Sequence, residues 1–402
     1  MSANRTIVKA RAMLDGSGSA ARSDVAIVIE DGRIAAIDRA GSSKNHASDS
    51  RVVDGGSLTA IPGLINMHAH LDSMCGPDFA IAARMATEAA SALAAAHNAL
   101  LTVRSGVTTV RDLGNPFAVA IAVRDAVVRG LIPGPRILAA GRIVCMTGGH
   151  CWYIGLEADG PHEMRKAVRE NLKAGADCIK VIATGGVLSP GVEVGHAQLD
   201  VDELEVAVRE AHRAGRRVAA HAIGSAGVKN ALRAGVDTIE HGCYLDAEAI
   251  GLFQSTQATY VPTLSAPYWL RMHADELPDY AVRKTNEVYD AHRESFAAAV
   301  KAGVRIAAGT DAGTPFNHHD RFAHELLLMA ELGMSTEEVL LSATSRAAAA
   351  LGLEDECGTL KPGLSADIAL VDGDPRSDVN SLGRVRMVFT RGRSVATADD
   401  DA

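Results

Sequence analysis

Residues 178–222 read CIKVIATGGVLSPGVEVGHAQLDVDELEVAVREAHRAGRRVAAHA. A short apolar run, CIKVIA, leads into a loop. The segment DVDELEVAVREAHRAG follows, with apolar residues at helical spacing and a closing Ala-Gly whose glycine is placed as a C-cap. A second apolar run, RRVAAHA, comes next. Strand, helix, strand at this spacing is the pattern of two parallel strands joined by a crossover helix. Lys180 is out of place in it, because a strand of a parallel sheet is buried on both faces. His221 closes the second run in the same incongruous way.

The alternation extends in both directions. Eight apolar runs appear in order: GLINMHAH, VTTVRDL, PRILAAG, CIKVIA, RRVAAHA, DTIEHG, TYVPTL and VRIAAGTD. Helix-patterned segments such as PHEMRKAVRENLKAGA and SAGVKNALRAG separate most of them. Eight strand–helix units predict an α/β fold, a distorted (β/α)8 TIM barrel. A doubly wound open sheet fits less well, because no glycine-rich phosphate turn follows the first strand. The two ends differ from the middle. RTIVKARAML, DVAIVIEDGRIAAIDR and SRVVDGGSLTAIPG near the start, and GTLKPGLSADIALVDGDP and RVRMVFTRGRSVA near the finish, are β-rich runs broken by Gly-containing turns. They predict a small β-sandwich built from both termini. The expected division is 1–60 for its first part, 61–354 for the barrel and 355–402 for its second part, with TADDDA as a frayed acidic tail.

Composition narrows the function. Of 402 residues, 47% are apolar and 22% charged, a soluble globular balance, and the net charge of −9 comes without a basic run. Nucleic acid and anionic membranes are therefore not expected partners. No apolar stretch reaches transmembrane length and MSANRTIVKARAML has no signal-peptide core, so a cytoplasmic location is expected. The six cysteines show no CxxC spacing, which argues for free thiols rather than a disulfide framework or zinc ribbon.

The reactive residue types collect at the ends of the runs. His68 and His70, two residues apart on a strand, point to the same side, which in a barrel can be the interior at the catalytic mouth. Lys180, His221, His241 and Asp311 end the fourth, fifth, sixth and eighth runs. Alone, each has an ordinary explanation: a satisfied core histidine, a helix cap for Asp311, a snorkelling lysine. Together they form a nitrogen and oxygen donor set suited to Zn²⁺ or a similar divalent ion.

With these residues in place the chain resembles the amidohydrolase superfamily of binuclear metallohydrolases. PGLINMHAHLD, SGVTTVRDLG, DTIEHG, AAGTDAG and GTLKPGLSADIALVD match its habits in order, over nearly the whole chain. The resemblance implies two divalent ions, zinc as first choice. His68 and His70 would hold the more buried ion, and His221 and His241 the more exposed one. Asp311 would be a ligand and the proton acceptor. Lys180 would bridge the ions as an N6-carboxylated lysine. The physics is compatible with that role: an ammonium beside two dications loses its proton, and the neutral amine can add CO₂ to give a bridging carbamate. The implied reaction is hydrolysis by a metal-bridging hydroxide, with Asp311 carrying the proton to the leaving nitrogen.

A narrower resemblance, carried by TGGHCWYIG, IEHGCYLD and residues 157–190, is to Xaa-Pro dipeptidase-like, arginine or lysine carboxypeptidase-like and ochratoxin-hydrolysing members. It implies cleavage of an amide C–N bond in a dipeptide, an N-acyl amino acid or an ochratoxin-type amide. Alternatives are an aryl-urea or carbamate hydrolase of xenobiotics, or a deaminase or cyclic amidohydrolase on the same fold. Many deaminases keep one metal and lack the strand-four lysine, so Lys180 argues against them. His150 and Tyr244 are expected to bind the scissile carbonyl oxygen or a substrate carboxylate. Trp152 and Tyr153 are candidates to line the pocket, Gly185 and Gly186 to allow close backbone approach, and His318, with His319 beside it, to reach it from the loop after Asp311. His324 is expected to have no catalytic part. Cys151 stands where the branch has glycine and is not expected to act as a nucleophile. The expected partner is a small-molecule or dipeptide-like substrate, and a homo-oligomer is compatible with the sequence.

Overall fold

The computed structural model describes residues 5–41 and 50–395, so the acidic tail lies outside the described residues. The N-terminal strands are β1 (Arg5–Met13), β2 (Arg22–Glu30), β3 (Arg33–Arg39), β4 (Arg51–Asp54) and β5 (Thr59–Pro62). The β2–β3 turn places Asp31 and Gly32 at φ 49° and 80°. Two successive left-handed residues match the twist of a tight hairpin, and Asp-Gly is the pair that tolerates them.

The middle of the chain carries β6 (Leu64–Ala69), β7 (Val107–Asp112), β8 (Arg136–Ala139), β9 (Ile143–Cys145), β10 (Gly155–Glu157), β11 (Cys178–Ile182), β12 (Arg217–Ala222), β13 (Thr238–His241) and β14 (Thr259–Val261). β6, β7 and β8 form one parallel ladder, and β10, β9, β11, β12, β13 and β14 form a second, in that order. Every residue of β6, β7 and β11 is buried, as expected for strands covered on both faces. The Asp177 N–H donates to the Ala139 carbonyl (2.8 Å), joining the two ladders. On the other side, residues 304–312 lie between β14 and β6. Tyr260 pairs with Ile306 and Ala69 with Ala312, while the Met67 N–H bonds the Ala308 carbonyl and the Asp311 N–H bonds the His68 carbonyl. The hydrogen-bonded series thus returns to its starting strand.

Two of the eight expected runs depart from a plain strand. The third holds β8 and stops at Gly141 (φ 76°), beyond which a second short strand, β9, pairs with different neighbours. The eighth makes scattered bridges, and its pleat ends where Asp311 turns left-handed (φ 58°). The expected crossover helices are present at Gly160–Ala174, Val201–Arg213 and Ser225–Arg233. The second begins with a reciprocal capping box between Asp200 and Glu203.

Three strands complete the chain: β15 (Ile368–Val371), β16 (Val385–Thr390) and β17 (Arg393–Val395). They continue the N-terminal sheet in the order β17-β16-β15-β5-β1-β2-β3, with β4 also paired to β1. Both termini therefore share one eight-stranded sheet, with a core that includes Val8, Ile27, Ile29, Ile368 and Phe389. β5 passes into β6 through Gly63 alone, so the two bodies of the mixed α/β fold abut closely. Among the described residues no helix is long and apolar enough to cross a membrane.

Candidate metal centre

His68 is on β6 and His70 is the residue after it; Lys180 is on β11, His221 on β12 and His241 at the end of β13. Asp311 comes from the segment that closes the series. All six side chains line one cavity. His68 Nε2 and His70 Nε2 each lie 3.3 Å from Asp311 Oδ1. Lys180 Nζ is 3.3 Å from His68 Nε2. Donor atoms of His68, His241 and Asp311 all fall within 4.8 Å of one another. The His221 ring stands 4.5 Å from that of His241. His241 (φ 73°) and Asp311 are both left-handed, a conformation that costs non-glycine residues energy and tends to persist where function holds it in place.

Hydrogen bonds fix which imidazole nitrogen is free. His68 Nδ1 is 2.9 Å from Glu240 Oε2. A carboxylate can only accept, so Nδ1 carries the proton and the Nε2 lone pair faces the cavity. His70 Nδ1 is 2.7 Å from the Gly114 carbonyl, with the same consequence. His241 Nδ1 is 2.7 Å from Thr263 Oγ1, whose own hydrogen goes to the Pro262 carbonyl, so this histidine also donates through Nδ1. His221 Nε2 is buried with no hydrogen-bond partner, while the Gly185 carbonyl accepts from the ring. An orphaned buried ring nitrogen beside three oriented imidazoles and a carboxylate is the donor chemistry a divalent cation satisfies.

The electrostatics agree for three of the four histidines; burial would lower His70 too, but the Asp311 carboxylate raises it above the ordinary imidazole value. Burial, reinforced by neighbouring cationic groups, holds His68, His221 and His241 well below the ordinary imidazole range. They are therefore neutral and available as ligands at neutral pH. Burial also lowers the Lys180 ammonium, against the pull of Glu240 and Asp311. For Asp311, burial alone would raise the carboxyl, but His68 and His70 outweigh it and hold it below its usual value.

Several groups in this arrangement have no counterpart in the sequence reading. Glu240, fully buried, accepts from Arg111 Nη2 (2.8 Å) as well as from His68. Arg111, equally buried, also donates to the Met67 carbonyl (2.7 Å) and Thr238 Oγ1 (3.0 Å). Their signal was available: a charge inside an apolar strand, the same anomaly as Lys180. Thr263 and Ser189 had none.

Among the remaining candidates, His150 lines the cavity with its ring 4.5 Å from His221, and its Nδ1 lies 2.8 Å from Ser189 Oγ. Gly186 faces that ring: a Cβ there would fall 2.4 Å from His150 Nε2. Gly185 is instead pressed on the Glu193 backbone. Tyr153 packs edge-on against Phe79, a wall residue, and its hydroxyl donates to the Leu188 carbonyl (3.0 Å). Tyr244, expected at the substrate oxygen, directs its hydroxyl to the Glu287 carbonyl (3.0 Å) and lies off the wall. Trp152 is 40% exposed and His318 exposed, and neither reaches the wall. His319 bonds the Ser73 carbonyl, and His324 packs against Tyr268 and Trp269. The Cys151 thiol lines the cavity and burial holds it protonated, so it is no nucleophile.

Residues 59–395 match the model of the amidohydrolase family. The chain belongs to this family. It is 31% identical to ochratoxinase from Aspergillus niger over 93% of this chain and 82% of that one. A Xaa-Pro dipeptidase solved with methionine in its active site superposes with TM-score 0.90 at 34% identity, over 97% of this chain and 99% of the other. A prolidase complexed with N-methylphosphonate-L-proline gives TM-score 0.91 at 29% identity, over 98% and 100%. This amidohydrolase is thus a hydrolytic enzyme, with a site whose chemistry suits metal.

Proposed function

We propose that this amidohydrolase cleaves an amide C–N bond of a dipeptide or N-acyl amino acid with two divalent metal ions, zinc as first choice. The single observation that carries the reading is the meeting of His68, Lys180, His241 and Asp311 with their lone pairs turned into one cavity. The ligands would be His68 and His70 for one ion and His221 and His241 for the other. Lys180, as its N6-carboxylate, would be shared by both, and Asp311 would join the first pair. Bound there, the ions would supply Lewis acidity and would acidify the attacking water.

The protein's own groups then have distinct tasks. Asp311 accepts the proton of the attacking water and returns it to the leaving nitrogen. His150 holds the substrate oxygen. Ser189 Oγ already accepts from the Cys151 N–H (2.9 Å), so its own hydrogen is free for His150 Nδ1, leaving Nε2–H as the donor. Burial keeps His150 down at about 3, so it acts as a neutral donor at working pH. Release of an amino acid accords with the two relatives solved with methionine and with a proline phosphonate.

We place this chemistry on a distorted (β/α)8 barrel at 61–354, with a β-sandwich at 1–60 and 355–402, in a cytoplasmic enzyme. The test is a panel of dipeptides, N-acyl amino acids, aryl amides and ureas assayed with the zinc-loaded protein. C–N hydrolysis of the first two classes is expected. Silence across the panel would overturn the reading in favour of a cyclic or deaminase substrate.

A further inference from the structure

We infer that this site takes amides whose groups on both sides of the scissile C–N bond are apolar, and that it turns away substrates with a charged side chain. This deepens the amide-hydrolase reading above and rests on it.

The cavity and its open mouth together hold about 730 Å³ of space not filled by protein atoms. Beyond the metal-ligand candidates and His150, His292 and Thr314, its wall is built of apolar groups, among them Phe79, Ile154, Val187, Leu188, Leu270 and Val288. Among the described residues only one carboxylate, Asp311, and one lysine, Lys180, reach that wall, and both belong to the proposed metal-ligand set. Away from the metal ions, whose charge the carboxylate of the amino acid itself can meet, a substrate lysine, arginine, aspartate or glutamate side chain would therefore face no free counter-charge. An unpaired charge in an apolar site is among the costliest groups to bury.

Two further buried ionisable groups are already occupied. Lys284, fully buried behind the wall, directs its ammonium to the carbonyls of Ser189 (2.7 Å), Gly186 (3.3 Å) and Val192. Three acceptors exhaust its three donors. The buried Glu325 accepts the N–H groups of Leu264 (2.8 Å) and Ser265 (2.7 Å), one on each oxygen. Neither can serve a substrate without leaving buried backbone groups unpaired.

The wall is also held in shape. Tyr153 ties the Leu188 carbonyl to the side of Phe79, and Lys284 pins residues 186–192 from the other side. A pre-formed apolar wall favours an apolar substrate without an ordering cost, and leaves a charged one no rearrangement that would solvate it.

The experiment uses the full chain loaded with zinc. First, kcat/KM is measured for matched N-acyl amino acids and dipeptides carrying Leu, Met or Phe against Lys, Arg, Asp or Glu on either side of the bond. The apolar members should lead by at least about 100-fold. Charged members within tenfold of the apolar ones would overturn the inference while leaving the amide-hydrolase reading intact. Second, calorimetry follows binding of free phenylalanine and free lysine as products, without turnover. Phenylalanine binding alone supports the apolar site even if the amide panel is silent and the reaction must be reassigned. Equal binding of lysine overturns it.

Discussion

Glu240→Gln tests whether the buried Arg111–Glu240–His68 chain orients a metal ligand or merely fills the core. The substitution keeps the volume and removes the charge. It leaves the Arg111 guanidinium, 1% exposed, without the carboxylate 2.8 Å away. Breaking one partner of a buried pair costs about 3–5 kcal/mol. For a chain of 402 residues that corresponds to a melting point lower by about 4–6 °C. The second effect is on His68. Its Nδ1–H donates to the Glu240 carboxylate, and replacing such a partner typically weakens metal binding by about 10–100-fold. The assays are a calorimetric melt of the metal-free protein and a zinc titration against a competing chelator. The double variant Arg111→Met/Glu240→Leu separates the two effects. Removing both charges should recover most of the stability, yet zinc affinity should stay low because His68 has lost its acceptor. Wild-type zinc affinity in Glu240→Gln would refute the orienting role, and an unchanged metal-free melt would refute the buried-pair argument.

Lys180→Ala should abolish hydrolysis, with partial return on adding short carboxylic acids that replace a bridging carboxylate; full activity without them would exclude the bridge. Metal analysis of the wild type should give about two divalent ions per chain, and one or none would sink the binuclear assignment. Gly186→Ala would set a methyl 2.4 Å from His150 Nε2, so kcat/KM should fall at least about tenfold with metal content intact, overpacking of this kind costing about 1–3 kcal/mol. Asp246 caps the helix Ala247–Thr256, and Ser225, Ala249 and Lys229 pull its carboxyl down to about 2. Its folded value lies below the ordinary 3.8, so its stabilisation is present above that pH and fades as pH falls towards 2; Asp246→Ala should cost about 1 kcal/mol at neutral pH and less in acid, as read by melts across that range.

The repeating strand–helix pattern was legible because strand burial and helix periodicity leave different marks on the sequence. Seven of the eight expected runs overlap ladder strands. The departures from plain strands have local causes that hydropathy does not register: the strand stop at Gly141 after β8 and the left-handed turn at Asp311 in the eighth run. The residues now clustered at the metal centre were legible for a different reason. Charge and imidazole at buried strand ends violate the burial rule, and several violations at successive ends imply a shared purpose. Tyr244 and His318 were placed by sequence proximity to such residues, and proximity says nothing of direction. The Tyr244 hydroxyl meets the Glu287 carbonyl, which belongs to a distant helix that no local pattern could reveal.

The groups that hold the histidines explain why the rest stayed hidden. Each acceptor is of a different kind: the Glu240 carboxylate for His68, the Gly114 carbonyl for His70, the Thr263 hydroxyl for His241. Only the first is a charged residue in an unexpected place. A threonine in a strand-end turn is unremarked, and a backbone carbonyl has no side chain at all. The difference matters physically. Side-chain substitution can remove the support of His68 or His241, but the support of His70 is part of the chain path after β7. That path is itself fixed by Asp112, which accepts the N–H groups of Leu71 (2.8 Å) and Gly114 (3.0 Å) and so clasps the loop beyond His70 to the loop that supplies its acceptor. The ligand orientation is therefore written partly in side chains and partly in the closure of the strand series, and the second part becomes readable only once the chain is folded.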